Sequence, residues 1–160
     1  MEKTVVKEEV ITKPVTQIIA KGPVVRTVYV GTSRGSGSVS GLQWPLSGRI
    51  TSYYGYRSGG FHSGIDIDGV TGQPYYAASA GKVVLAGYAG GYGYCIIIDH
   101  GNGVQTRYAH ASKLLVSTGK TVAKGETIGL VGSTGRATGP HLHFEIIVNG
   151  STVNPRNYVN

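Results

Sequence analysis

Short alternating runs of apolar and polar residues recur along most of the chain after residue 41, separated by glycines and turn-forming dipeptides. Successive side chains of a strand point to opposite faces, so this alternation predicts half-buried β-strands. Asn102-Gly103 and Asn149-Gly150 are typical of tight turns between strands. The runs are GRITSYYGYR, GIDIDG, GKVVLAGY, YCIIIDHGNG, VQTRYAH, KTVAKGETIGLVG and HLHFEIIVNGSTV. The sequence therefore predicts an all-β fold, with room for a helical turn only at ASKLLVS.

Composition supports this fold class and suggests a division of the chain. The 160 residues include 26 glycines and 11 tyrosines, which favour short strands and tight turns. Residues 31–41, GTSRGSGSVSG, are mostly Gly and Ser, as in a flexible linker. Residues 1–30 contain strand-like runs broken at Pro14 and Pro23, and they are too few to bury a core alone. We therefore expect the end of a preceding β-rich module at 1–30, a linker at 31–41 and a domain at 42–160.

Charge and targeting signals limit the partners and the compartment. The net charge of +7 attracts polyanions such as nucleic acid, acidic membrane surfaces or wall polymers. The basic residues are spread along the chain, unlike a nucleic-acid footprint. The amino terminus lacks the apolar core of a signal peptide, and no apolar run reaches membrane-spanning length. These features leave a cytoplasmic protein or a piece of a longer secreted chain. The single cysteine, Cys95, excludes an intrachain disulfide, and its apolar neighbours predict burial.

The candidate chemistry lies in histidines and aspartates after residue 60. His141 and His143 are two apart in a predicted strand, so both imidazoles project from one face. Asp66 and Asp68 share a face of another strand, which His62 precedes by a short turn. A catalytic zinc site takes three ligands from His, Asp or Glu and leaves the fourth position for water. One aspartate, His62 and one histidine of the pair would complete such a set.

The histidine of the pair that does not bind metal is then a candidate for proton transfer. An imidazole beside zinc-bound water is suited to accept or donate a proton near neutral pH. His110, just past a strand end in RYAHAS, is a further candidate for proton transfer or oxyanion stabilisation. Spacing alone does not choose between Asp66 and Asp68, or between His141 and His143. Each histidine taken alone is also compatible with an ordinary surface or core position.

Three motifs, HSGID, YAH and GPHLHFE, in this order and spacing resemble those of the lysostaphin-like or LytM-type zinc metalloendopeptidases that cut bacterial peptidoglycan peptides. The resemblance extends from Trp44 to Pro155. It implies an antiparallel β fold with a duplicated hybrid motif and a groove over one zinc ion. GYAGGYGY and STGRATG would form the groove walls on either side of the ion. The first segment, EEVITKPVTQIIAKG, resembles the last strands of a small module named for its five glycines, found in wall-associated proteins.

Carried over position by position, the family pattern assigns a role to each candidate. The implied zinc ligands are His62, Asp66 and His143. The implied catalytic residues are His110, His141 and Tyr56, the tyrosine facing the metal-bound oxygen in some members. Asp68 becomes a bystander, and His100, which matches no catalytic position, is assigned to structure or surface. By strand period Glu145 lies on the face of the histidine pair, where it orients an imidazole or stays an exposed carboxylate.

The resemblance implies a zinc-dependent endopeptidase that hydrolyses peptidoglycan cross-links or stem peptides, working as a wall-associated or extracellular monomer. The spread of basic residues predicts no nucleic-acid partner, the lack of a long apolar run predicts no membrane span, and the positive charge suggests anionic wall polymers as further partners. One rival is a non-catalytic relative that binds the wall or activates another hydrolase, but such relatives typically lack several metal and catalytic residues that are present here. The other rival is an adhesion module with a structural zinc, which requires a fourth protein ligand such as His141.

Overall fold

The computed structural model describes residues 41–160, and the expectations for residues 1–30 and for linker residues 31–40 lie outside this part. The described residues form thirteen strands and two single-turn 3-10 helices, Gly90–Tyr92 and Pro155–Asn157. The strands are β1 (Ile50–Ser52), β2 (Gly55–Arg57), β3 (Gly60–His62), β4 (Ile65–Asp68), β5 (Pro74–Tyr76), β6 (Gly81–Tyr88), β7 (Tyr94–Gly101), β8 (Val104–Ala111), β9 (Lys113–Leu114), β10 (Thr121–Val122), β11 (Thr127–Leu130), β12 (His141–Val148) and β13 (Ser151–Val153). The predicted all-β class is confirmed.

The helical turn predicted at ASKLLVS is wrong. Lys113 and Leu114 form strand β9, which pairs with β11. Because a two-residue strand is too short to show alternation, its sequence carried no signal that separated it from a helical turn. No helix among residues 41–160 is long and apolar enough to cross a membrane.

Every strand pair is antiparallel, and one large sheet dominates the domain. Its strand order is β10-β6-β7-β8-β12-β4-β1, and β13 extends the sheet by pairing with β12 beyond β4. A smaller sheet has the order β9-β11-β5, and β2 and β3 form a separate hairpin. The long strand β12 therefore lies inside the large sheet, paired on both edges.

The two faces of β12 have different roles. Leu142, Phe144 and Ile146 are fully buried and belong to the main apolar core. This core also contains Tyr75 and Ile128 of the smaller sheet, so the smaller sheet covers one face of the large one. The residues of β12 on the opposite face are His141, His143, Glu145 and Ile147. The alternation seen in the sequence thus separates the core face from a face that carries ionisable groups.

Strand β4 follows the same rule. Ile65 and Ile67 are fully buried in the core, and Asp66 and Asp68 project from the other face. Gly64, in the turn before β4, packs directly on β12. A Cβ added at Gly64 would lie 2.3 Å from the carbonyl oxygen of Phe144. The glycine of HSGID is therefore required by this close approach, which brings the turn after His62 against β12.

We expect Gly64→Ala to lower the free energy of unfolding by about 2–3 kcal/mol, because the new methyl group would force the turn away from β12. Gly87→Ala is the matched control, since a Cβ at Gly87 in β6 meets no atom within 4 Å. The control should be neutral or slightly stabilising, by up to about 1 kcal/mol. Urea unfolding with a chelator present measures both variants without a contribution from metal binding. Equal losses in the two variants would contradict the close packing of Gly64.

Candidate functional site

Strand register brings together an aspartate and a histidine that are far apart in the sequence. In the β4–β12 ladder Asp66 is directly opposite His143, and Asp68 is opposite His141. Side chains opposite each other on one face of an antiparallel pair have Cβ atoms about 4.5–5.5 Å apart. His143 Nδ1 accordingly lies 2.9 Å from Asp66 Oδ1. The register therefore selects Asp66 as the carboxylate beside His143.

A third group, His62 at the end of β3, completes a compact cluster. His62 Nε2 lies 3.2 Å from His143 Nδ1 and 3.2 Å from Asp66 Oδ1. Zinc bonds of about 2.0–2.1 Å in a tetrahedral array place ligand atoms about 3.3 Å from one another. The three donor atoms form a triangle close to this size, and two nitrogens with one carboxylate oxygen are ligands that zinc accepts. His62, Asp66 and His143 could therefore hold a zinc ion.

In His62 and His143, the ring nitrogen that does not face the cluster contacts another group. His62 Nδ1 lies 2.9 Å from the carbonyl oxygen of Tyr53, and a carbonyl only accepts, so Nδ1 carries the proton and Nε2 offers its lone pair to the cluster. His143 Nε2 lies 3.0 Å from Glu145 Oε1, so Nδ1 is the nitrogen that faces Asp66. Such contacts fix the orientation of a ring that binds metal.

Glu145 is the centre of a buried polar network behind His143. Its side chain is fully buried, and its carboxylate accepts hydrogen bonds from Ser63 Oγ at 2.7 Å, Tyr92 OH at 3.0 Å and Arg107 Nη1 at 2.7 Å, besides that from His143. Burial by itself raises the pKa of Glu145. The hydrogen bonds of His143 and Ser63 and the charges of His143 and Arg107 outweigh burial and lower the pKa to about 2.

Asp66 and His143 influence each other in the same way. Burial raises the pKa of Asp66, but the contacts of its carboxylate with the His143 and His62 rings hold it well below its usual range. Burial lowers the pKa of His143, but its hydrogen bonds to Asp66 and Glu145 raise it overall. Asp66 is therefore a carboxylate at any physiological pH, as a metal ligand must be.

A β-bulge directs His110 to the cluster. Between β7 and β8 the pairing passes from Tyr94 opposite Ala111 to Ile96 opposite Tyr108, so β8 contains one extra residue there. His110 lies in this extra length with a φ of 67°, in the left-handed region that a residue with a Cβ rarely adopts. A bulge changes the direction of a side chain and is common beside active sites. The His110 ring consequently lies 4.9 Å, centre to centre, from that of His141.

Hydrogen bonds to backbone carbonyls favour the same tautomer in His110 and His141. His110 Nδ1 lies 2.7 Å from the carbonyl oxygen of Thr134, and His141 Nδ1 lies 2.9 Å from that of Gly139. Since a carbonyl only accepts, each Nδ1 carries the proton and each neutral ring has its lone pair at Nε2. Burial and the neighbouring rings lower the pKa of His110 more than its hydrogen bond to Thr134 raises it. The neutral form of His110 is thus favoured over the charged one.

The cluster lies in a cavity of about 590 Å³. Gly91 and Tyr92 line it together with residues 136–138, so both predicted glycine-rich segments contribute. The two segments contact each other through Arg136 N and the carbonyl oxygen of Gly91, at 2.8 Å. They therefore build one continuous wall and not two separate ones. The β2–β3 hairpin adds Arg57 and Phe61 to the lining.

Comparison with known proteins shows what this arrangement is. Residues 60–155, which include the cluster and the adjacent His110 and His141, match Peptidase family M23. The chain belongs to peptidase family M23. Members of this family are zinc metallopeptidases.

Curated relatives of this M23 domain include two kinds of protein. The DD-carboxypeptidase/endopeptidase Mpg of Neisseria meningitidis is 47% identical over 113 residues, which are 67% of this chain and 26% of Mpg. The murein hydrolase activator NlpD of Salmonella dublin is 40% identical over 153 residues, which are 94% of this chain and 39% of NlpD. The matches therefore span about a quarter of the first relative and two fifths of the second.

The solved structures confirm the predicted resemblance. The catalytic domain of the antimicrobial peptidase lysostaphin from Staphylococcus simulans superposes with a TM-score of 0.61 at 36% identity. The match covers 66% of this chain and 86% of the lysostaphin chain. The M23 domain thus has the lysostaphin-like fold that its motifs predict.

The other candidates lie outside the cluster. Tyr56 is 90% exposed, packs edge-on against Phe61 and is not part of the cavity lining, so its catalytic role stays a prediction from the resemblance. Asp68 is exposed at the end of β4. His100 bonds to the carbonyl oxygen of Ala80 and to Thr106 Oγ1, which confirms its structural assignment. Cys95 is fully buried, as predicted.

Sequence analysis did not identify the partners of Glu145. Arg107 is directly opposite Glu145 in the β8–β12 ladder, and its guanidinium also stacks 4.5 Å over the Tyr92 ring. The period-two relation to His143 predicts the position of Glu145 itself on the same strand face. Arg107 belongs to a different strand, and its alignment with Glu145 depends on the register, which the sequence does not state.

We expect Arg107→Met to lower the free energy of unfolding by about 3 kcal/mol, because it removes the ion-pair partner of the buried Glu145 carboxylate. Lys120→Met is the control, since it breaks the exposed pair with Glu126 and should cost less than about 1 kcal/mol. Both are measured by urea unfolding in the presence of a chelator. A loss for Arg107→Met no greater than that for the control would show that the network contributes little to stability.

Proposed function

We propose that this M23 domain is a zinc-dependent endopeptidase that hydrolyses peptide bonds in peptidoglycan cross-links or stem peptides. One observation carries the proposal: the donor atoms of His62, Asp66 and His143 converge at zinc-binding distances, with the rings of His110 and His141 beside them. A structural zinc would need a fourth protein ligand, whereas a catalytic one keeps an open position. The presence of two further histidines at the cluster supports the catalytic arrangement.

The proposed metal ligands are His62 through Nε2, Asp66 through Oδ1 and His143 through Nδ1. Zinc bound there would polarise the substrate carbonyl and lower the pKa of water. Tyr53 and Glu145 hold the two imidazole rings in the orientation that directs these nitrogens inward. The Glu145 network in turn fixes His143 against β8 and the Tyr92 segment.

His110 and His141 are proposed to handle protons during hydrolysis. Both rings have Nε2 available as a lone pair while Nδ1 donates to a backbone carbonyl. One Nε2 can take the proton of the attacking water and return it to the leaving amine. Once protonated, either ring can also stabilise the negative charge that develops on the carbonyl oxygen. We propose from the resemblance alone that Tyr56 donates a further hydrogen bond to this oxygen.

The remaining proposals follow from this activity and from the relatives. Peptidoglycan is outside the cytoplasm, so we propose a wall-associated or extracellular protein. Basic charge favours anionic wall polymers as additional partners. We propose a monomer without a nucleic-acid partner.

A second candidate is a hydrolase activator, and the NlpD match over 94% of the chain favours it. Such a role needs the surface of the domain but no metal and no histidine cluster. The complete set of His62, Asp66, His110, His141 and His143 therefore supports the enzyme over the activator. Turnover of a peptidoglycan substrate distinguishes the two.

We expect Asp66→Asn to weaken zinc binding by more than about 100-fold, because even groups that only orient a ligand change metal affinity by 10–100-fold. Asp68→Asn is the matched control and should bind zinc like the wild type, since Asp68 lies outside the cluster. Competition with a chromophoric chelator measures the affinity, and elemental analysis measures the zinc content. Equal zinc affinity in both variants would overturn the proposed ligand set.

The proposed activity predicts release of peptides from peptidoglycan that is abolished by a zinc chelator and restored by zinc. His141→Ala should lower the rate by about 100-fold or more while zinc stays bound, because it removes a proton-transfer group and no ligand. Peptidoglycans with several cross-link types are the substrates, and mass spectrometry identifies the new ends. Wild-type protein with one zinc per chain that releases no ends from any of them would favour the activator.

A further inference from the structure

Two arginines, Arg57 and Arg136, line the cavity beside the histidine cluster. Arg57 comes from β2 of the hairpin, and Arg136 comes from the segment before β12. The guanidinium carbon of Arg136 would lie 4.0 Å from a Cβ placed on Gly91, so this side chain extends along the glycine-rich wall. The cavity thus has positive charge on two separate parts of its lining.

Neither guanidinium is neutralised within the part of the chain that the structure describes. Arg57 donates through Nη1 to the Ser52 hydroxyl, which is uncharged, and no carboxylate of residues 41–160 lies within ion-pair distance of Arg57 or Arg136. A guanidinium has five N–H donors in a planar fork that matches the two oxygens of a carboxylate. Most of these donors remain available to a molecule in the cavity.

None of the acidic residues among residues 41–160 forms an ion pair with these arginines. These acidic residues are Asp66, Asp68, Asp99, Glu126 and Glu145. Only Asp66 lines the cavity, and it is engaged with His62 and His143. Glu145 is buried against Arg107, and Glu126 pairs with Lys120. The cavity therefore has an excess of positive charge even before a cation occupies the cluster.

We propose that the cleft selects peptides that carry free carboxylates near the scissile bond, as acidic stem peptides do, over uncharged bridges such as glycine chains. This inference rests on the proposed endopeptidase function and specifies its substrate class. Arg57 and Arg136 are the residues that determine the selection, because a carboxylate forms a charge-assisted, two-point hydrogen bond with either guanidinium and a neutral amide does not. Unpaired positive charge in a cleft also attracts anionic substrates and speeds their association.

The test compares two cross-linked stem-peptide substrates of the same sequence, one with free carboxylates and one in which those carboxylates are amidated. We expect the zinc-loaded full chain to cleave the acidic substrate with a kcat/KM about tenfold higher, at about threefold for each arginine. This preference should shrink when salt rises from about 0.1 M to about 1 M, because the Debye length falls from about 10 Å to about 3 Å. Similar kcat/KM values for both substrates at low salt would overturn the inference.

Variants assign the preference to the two arginines. Arg57→Gln and Arg136→Gln should each lower kcat/KM for the acidic substrate by about threefold and leave the amidated one within twofold. Arg49→Gln, an exposed arginine outside the cavity lining, is the matched control and should change neither value. A variant that lowers both substrates equally acts on folding or chemistry, and that result would count against a selective role.

A binding measurement separates this inference from the proposed activity. Fluorescence anisotropy with labelled forms of the same two peptides, on His141→Ala protein loaded with zinc, requires no turnover. Preferential binding of the acidic peptide that is lost in the Arg57→Gln/Arg136→Gln background supports the inference. If the wild type also cleaves neither peptide, that second result refutes the endopeptidase proposal and leaves the charge selection standing. Equal binding of both peptides would overturn the charge selection whatever the activity.

Discussion

The register between β4 and β12 is the constraint on which the candidate site depends. It places Asp66 opposite His143 and fixes the two donor atoms 2.9 Å apart. A shift by one residue would move every side chain of β4 to the other face, burying the aspartates and exposing the isoleucines of the core. The apolar core therefore enforces the register, and the register enforces the geometry of the cluster. The alternation of isoleucines and aspartates in β4 therefore supports both the stability of the core and the geometry of the site.

Buried charge connects the cluster to the rest of the domain. Glu145 accepts hydrogen bonds from four side chains, which come from β8, β12, the turn before β4 and the 3-10 turn at Tyr92. A carboxylate buried at this depth is stable only when such donors satisfy it. The network thereby holds His143 from behind, and through Tyr92 it connects the GYAGGYGY segment to the sheet. His110 contacts the STGRATG segment through the Thr134 carbonyl, so both glycine-rich segments are connected to the site.

The arginines near the cluster differ in their pairing. Arg107 pairs with Glu145 behind the cluster, whereas Arg57 and Arg136, which have no carboxylate partner among residues 41–160, line the cavity. Similarity to both an endopeptidase and a hydrolase activator shows that one fold accommodates different roles. The side chains in the cavity, and not the fold, therefore carry the functional argument. They favour metal-assisted hydrolysis here because the cluster and the two adjacent histidines, His110 and His141, are all present.

The sequence by itself determined the strand-rich fold and the two faces of β4 and β12, because alternation of period two is a local property that each strand carries in full. It also supplied the candidate ligands, since HSGID and HLH each hold their donors at fixed short spacings. Tertiary structure decided which aspartate meets which histidine, because the register between distant strands depends on the packing of the whole core. It also decided the position of His110, where a bulge with positive φ reverses the direction that simple alternation predicts. The pairing of Arg107 with Glu145 and the contact between the two glycine-rich segments likewise depend on the tertiary structure, because they join residues far apart in the chain.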